Sequence, residues 1–194
     1  MVHFDNPHTR RDGINALRIV SHVLDKHNIQ WSLGHGTLMG AIRSNALLPI
    51  CTDIDIDTFN VSKDIVMAIK NDIDRYLPFE DLRDYHDTYY LLAYRLNFMR
   101  LDIHFWYSKN DGMYRADTHK PAPNGHVFYR LPSYIFNTLM PYRFMNIDTY
   151  IPEYAEDYLD IMYEKDMWRQ DRTGWHTKRD SPCLIAEEEC PIYE

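Results

Sequence analysis

Cysteine is scarce in this chain. There are three (Cys51, Cys183, Cys190), an odd set without zinc-ligand spacing, so neither a disulfide framework nor a cysteine metal site is indicated. Basic charge is also short: 21 Lys and Arg stand against 29 Asp and Glu, for a formal net charge of −8. A protein that coats a duplex needs a basic surface to release counterions, so general nucleic-acid binding is disfavoured. Phosphate would have to be held locally, by a metal or a backbone pocket. No stretch approaches the roughly 18 consecutive apolar residues of a membrane helix. Met1-Val2-His3-Phe4-Asp5-Asn6-Pro7-His8 carries no apolar run of signal-peptide length. These shortages read as a reduced, cytoplasmic protein with no transmembrane segment. The 10 histidines are scattered, with no His-x-x-x-His pair on a predicted helix.

What is present is ordinary globular composition, 45% hydrophobic and 26% charged over 194 residues. With no internal repeat or convincing linker, the chain reads as one catalytic domain over 1–194, its core at about 12–168 and a polar tail over 169–194. Periodicity predicts a helix over about 12–28, with Asp12 near its cap and Ile14, Leu17, Val20 and Leu24 on one face. A short strand at Gln30–Leu33 runs into Gly34-His35-Gly36-Thr37 and a short helical stretch. Ser62 is expected to cap a helix carrying Ile65, Ile69, Ile73 and Tyr76. Tyr89–Leu96 and Leu101–Tyr107 read as strands, Asn110-Asp111-Gly112 as a turn, and 118–130 as a loop leading into a further strand. A late helix is expected from Pro152, with Ala155, Tyr158, Leu159 and Met162 as its apolar stripe. The fold class is α+β, helices packed on one mixed sheet.

Asp53-Ile54-Asp55-Ile56-Asp57 alternates strictly, so on a strand the three carboxylates share one face and the two isoleucines the other. Successive Asp side chains then lie about 7 Å apart, close enough for two to share a cation. Mg²⁺ commonly uses one or two carboxylates plus substrate phosphates. The competing reading is a solvated acidic edge strand. Leu101-Asp102-Ile103-His104-Phe105 repeats the alternation, so Asp102 could add a third carboxylate from a neighbouring strand, as in metal-assisted phosphoryl transfer. Gly36-Thr37 opens a helix after a strand, where free N–H groups suit an anion. Asp57 reads as a surface carboxylate. His104 shares the face of Asp102 and is either a satisfied histidine or an orienter of that carboxylate. His35 either approaches a donor or caps the turn. Arg95 and Arg100 flank the third carboxylate, and Cys51 carries no sign of activation.

Gly36-Thr37-Leu38-Met39-Gly40-Ala41-Ile42-Arg43, Leu48-Pro49 and Asp53-Ile54-Asp55-Ile56 together resemble the signature of the LicD family, phosphocholine and fukutin-related phospho-alcohol transferases of the nucleotidyltransferase-fold superfamily. The resemblance continues through Leu101-Asp102-Ile103 and covers about 31–168. It implies a nucleotidyltransferase-like mixed β-sheet with helices packed against it. It further implies Asp53, Asp55 and Asp102 as catalytic metal ligands for Mg²⁺ or Mn²⁺, with Gly36 and Thr37 cradling nucleotide phosphates. Arg43 would contact a phosphate or brace the Asp loop. The implied reaction moves a phospho-alcohol group from a CDP-linked donor to a glycan hydroxyl. Ile50, Cys51 and Thr52 stand where members commonly have Trp-Asp-Asp, Ala46 replaces a usual Gly, and Tyr163-Glu164 replaces Tyr-Gly. None of these removes a metal ligand. Two rival readings remain: transfer of NMP from an NTP donor to a small hydroxylated acceptor, and a non-catalytic nucleotide- or glycan-binding domain.

Overall fold

Alternating apolar positions in the middle of the chain build the sheet, and helical stripes on either side of them close its apolar face. The computed structural model describes residues 7–49, 52–110, 112–118, 126–163, 165–170, 183–185 and 190. Its elements run α1 (Pro7–Lys26), β1 (Trp31–Leu33), α2 (His35–Ser44), β2 (Asp53–Phe59), α3 (Lys63–Ile73), β3 (Phe79–Tyr85), β4 (Thr88–Leu96), β5 (Met99–Lys109), β6 (Gly112–Thr118), β7 (His126–Pro132), β8 (Leu139–Phe144), β9 (Ile147–Pro152), α4 (Ala155–Tyr163) and β10 (Leu184–Ile185). The main sheet is mixed, in the order β1-β2-β5-β6-β7-β10, with β4 on β5 and β3 on β4. This is the α+β architecture expected from the sequence. Among the described residues no helix is long and apolar enough to cross a membrane.

The pair that positions everything else is β2 with β5, which run parallel with Asp55 opposite Asp102 and Asp57 opposite His104. A parallel pair needs a crossover, here α3 with the β3–β4 hairpin. Along its other edge β5 is long enough to pair first with β4 (Met99 to His104) and then with β6 (Tyr107 to Lys109). Ile54, Ile56, Leu101, Ile103 and Phe105 are fully buried beneath α1 and α3. The approach of α1 is close at Gly13, where a Cβ would lie 2.9 Å from Met99 Sδ and 3.0 Å from Ile54 Cδ1.

Several boundaries differ from expectation. The first helix begins at Pro7, not Asp12, because the turn before Asp12 is helical without an apolar stripe of its own. Ser62 occupies the N-cap position of α3 but makes no side-chain capping bond. Tyr76 lies beyond that helix and is exposed. Pro152 ends β9, opposite Leu139, rather than opening the late helix; the chain turns first, with the Glu153 N–H donating to Thr138 O (2.9 Å). β8–β9 was not foreseen: its turn is Met145-Asn146, both at positive φ (49° and 65°), the geometry Asn-Gly usually supplies. The expected segment 118–130 is strand again from His126. Cys51, Asp111, residues 119–125, Glu164 and most of the tail, including Trp175, lie outside the described residues.

A Cβ on Gly40 in α2 would sit 2.3 Å from Ala46 O, a backbone atom. Gly40→Ala is therefore expected to lower the unfolding free energy by about 1–3 kcal/mol in urea titration. Asp72 on α3 accepts hydrogen bonds from Lys26 Nζ (2.6 Å) and His27 Nε2 (2.9 Å) at the end of α1. The Lys26 bond first, then that of His27, lowers its pKa from 3.8 to about 2. A carboxyl depressed on folding adds stability above its unfolded pKa and loses it as pH falls through the folded one. Asp72→Asn should accordingly flatten the fall in Tm between about pH 4 and pH 2.

Candidate active site

Alternation on β2 and β5 does what the sequence pattern requires: isoleucines go to the core, while Asp53, Asp55, Asp57, Arg100, Asp102 and His104 line the other face. The acidic face is not a solvated edge, since β2 lies between β1 and β5. Asp55 and Asp102 are buried and Asp53 is half-buried at the strand start. Burial raises the pKa of Asp53, opposed by the Arg100 charge. Burial also pushes Asp55 well above the usual carboxylate range, reinforced by the charges of Asp53, Asp102 and Asp57. Asp102 is raised to about 6 by burial, with Arg100 pulling the other way through a direct hydrogen bond to Oδ2.

Such a face favours an added cation. One atom each of Asp55, Asp102 and His104 lies within 4.8 Å of the others, so this buried group could hold a metal ion. The fit is supported by Asp102 Oδ1, which is buried and has no hydrogen-bond partner among the described residues. The carboxylate oxygens of this group are hard donors, suited to Mg²⁺ or Mn²⁺.

The start of α2 is bolted to the carboxylate strand at one residue. Asp55 O accepts from the Gly34 N–H (3.0 Å) and the Asp55 N–H donates to Thr37 Oγ1 (2.9 Å). Thr37 is fully buried, so the main-chain N–H this first turn can offer a phosphate is that of half-buried Gly36. The chain enters this turn through His35 at φ 43°, an uncommon conformation for a residue with a side chain. The Tyr158 hydroxyl holds it there, accepting from the His35 N–H (3.1 Å) and donating to Asp57 Oδ2 (2.9 Å).

Asp57 is therefore not a surface carboxylate. It is fully buried, accepts a second bond from Trp106 Nε1 (2.9 Å), and has its pKa raised to about 6 by burial. Gly34 must remain small because a Cβ there would meet Asp57 Oδ2 at 2.5 Å. His104 faces a different carboxylate from the one expected: its Nε2 lies 3.2 Å from Asp55 Oδ1, and its Nδ1 contacts Arg115. His35, half-buried, has its Nε2 3.9 Å from Asp57 Oδ1. Burial first, then the Arg115 charge, holds both imidazoles well below their usual pKa.

Arg43 is in the last turn of α2 with its guanidinium near Met39 Sδ (4.0 Å), about 10 Å of helix rise from Gly36. The guanidiniums acting on the carboxylates are Arg100 and Arg115. Arg95 pairs instead with Glu80. Trp106 continues the alternation from His104 and was legible in principle. Arg115 and Tyr158 reach the site only through the topology.

A model of the LicD/FKTN/FKRP nucleotidyltransferase domain matches residues 28–154, which carry the α2 turn and all of these carboxylates. The chain belongs to this family. The matched stretch is the nucleotidyltransferase domain of that family. The chain is 26% identical over 189 residues to "Ribitol-5-phosphate transferase FKTN" of Macaca fascicularis and 25% identical to that of Homo sapiens. Each alignment covers 95% of this chain but 39% of the relative, so the chain spans well under half the length of either. Two solved structures are also similar at 12% identity. The crystal structure of ANT(2")-Ia with adenylyl-2"-tobramycin has a TM-score of 0.43, covering 75% of this chain and 74% of that one. The solution structure of antibiotic-resistance factor ANT(2'')-Ia has a TM-score of 0.46, covering 79% and 72%.

The Tyr158 hydroxyl gives the site a direct test. Tyr158→Phe leaves a buried N–H and a buried carboxylate oxygen unpaired. The variant should lose about 1–3 kcal/mol of stability in denaturant titration, although no apolar contact is removed.

Proposed function

We infer that this domain transfers a phospho-alcohol group, ribitol phosphate or a similar polyol or choline phosphate, from a CDP-linked donor to a glycan hydroxyl. The observation that carries the reading is the pairing of Asp55 with Asp102 across parallel strands, with Asp102 Oδ1 buried and unsatisfied, in a chain of the LicD family. Similarity to ribitol-5-phosphate transferases supports the choice of transferred group.

In this reading Asp53, Asp55 and Asp102 hold Mg²⁺ or Mn²⁺, which when bound neutralises diphosphate charge and polarises the reacting phosphoryl group. The Gly36 N–H binds a donor phosphate oxygen at the positive end of α2, and Thr37 holds that turn against Asp55. Arg43 lies at the far end of α2, so its part is to brace the segment leading to β2. The acceptor hydroxyl oxygen forms a bond to the phosphorus that bears the alcohol, the bond from that phosphorus to CMP breaks, and CMP leaves with the electron pair. The hydroxyl proton is lost to solvent water, since Asp102 Oδ1 is kept for the cation and Arg100 occupies Oδ2.

The test is a thermal-shift series with CDP, CTP, UDP and ADP, each with and without Mn²⁺ or Mg²⁺, on the wild type and Asp55→Asn. A ligand at 100 times its Kd adds about 2.7 kcal/mol. Stabilisation by cytidine nucleotides that needs metal and disappears in Asp55→Asn is the expected result. Product mass with a CDP-linked donor then separates a phospho-alcohol adduct from a nucleotide adduct. A variant indistinguishable from wild type would overturn the site assignment.

A further inference from the structure

Behind Asp55 lies a buried chain of polar groups that the transfer reaction does not itself consume. Arg115, 1% exposed, contacts the Nδ1 of His104 through one guanidinium nitrogen. Its other terminal nitrogen pairs with Asp117 Oδ2 at 3.1 Å. The guanidinium is flanked by the rings of Trp106 (5.1 Å) and Tyr129 (5.0 Å). A guanidinium has donors only. The His104 nitrogen that meets it must therefore present a lone pair, which leaves the ring proton of the neutral imidazole on Nε2. That nitrogen lies 3.2 Å from Asp55 Oδ1.

The geometry points to a positioning relay, Asp117–Arg115–His104–Asp55, in which Arg115 fixes the His104 tautomer and His104 Nε2–H donates to Asp55. His104 is thus not a metal ligand, although its distance to the two carboxylates would allow it, because the lone pair a cation needs is on the nitrogen facing Arg115. Asp55 Oδ1 is held by the imidazole, and Oδ2 is the oxygen left to face the cation. This role rests on the metal-site reading above, since it assigns to His104 the orientation of a proposed ligand. Hydrogen-bonded partners behind metal ligands typically change metal affinity by 10–100-fold when removed.

Two measurements on the full chain test the relay. In a long-range ¹H–¹⁵N imidazole spectrum, His104 (assigned by its loss in His104→Gln) should show a protonated Nε2 and a bare Nδ1, unchanged on adding Mg²⁺. A protonated Nδ1, or loss of the Nε2 proton on adding Mg²⁺, would overturn it. Mn²⁺ affinity, read from the free-ion EPR signal, should fall at least tenfold in His104→Leu. It should recover most of that loss in His104→Gln, whose amide nitrogen keeps a donor near Nε2. Wild-type affinity in His104→Leu, or no recovery in His104→Gln, would also sink the relay. A wild type that binds no Mn²⁺ refutes the metal reading separately, and the spectrum of the metal-free protein still decides the tautomer.

Discussion

The parallel contact between β2 and β5 sets carboxylate beside carboxylate in a place water barely reaches. Like charges on adjacent strands repel, and desolvation disfavours each ionised group on its own. A fold that keeps such a contact must counter it from outside the pair. Arg100 does so from the strand position opposite Asp53, and Arg115 from β6. The apolar side of the same two strands makes the arrangement tolerable: five fully buried aliphatic and aromatic side chains secure the register that brings Asp55 and Asp102 together.

The polar groups around the site are tied into the fold at several depths. Asp57, two residues beyond Asp55, is used structurally: Trp106 and Tyr158 donate to it, and Gly34 leaves room for it. The same Tyr158 oxygen accepts the first N–H of α2. One hydroxyl thus connects α4, the left-handed entry to α2 and the carboxylate strand. Buried polar networks of this kind are costly when half satisfied and specific when complete, which accounts for their concentration where geometry matters most.

Much of this was legible in the sequence for a simple reason. Strand alternation is a local rule, so Asp53 and Asp55 could be assigned a shared face before any fold was known, while Asp102, on another strand, was joined to them by the resemblance. Their motif spacing likewise resembled the correct family. Asp57 obeyed the same rule and was still misread, because alternation gives the face and not whether that face is covered. For His104 the alternatives were a satisfied histidine or an orienter of Asp102, and Asp55 was not considered because strand register is nonlocal: His104 stands opposite Asp57 and reaches Asp55 diagonally across β2. Arg115 and Tyr158 had no local signal, since only the order of strands and the return of α4 bring them in. The β8–β9 hairpin was missed because Met145-Asn146 adopts a turn without the glycine that usually marks it.

The two main-chain bonds at Asp55, one to the Gly34 N–H and one to the Thr37 hydroxyl, couple the helix turn and the acidic strand into one rigid unit. A group seated at the turn and one held by the acidic side chains keep a fixed separation, however the surrounding loops fluctuate. In the proposed reaction, sequence change elsewhere in the domain can then alter which donor or acceptor is admitted without disturbing the reacting distance. Adaptation to new substrates is correspondingly easier in the segments that do not touch Asp55, such as the β8–β9 hairpin and the surface of α4, than in the eight residues from Gly34 to Ala41.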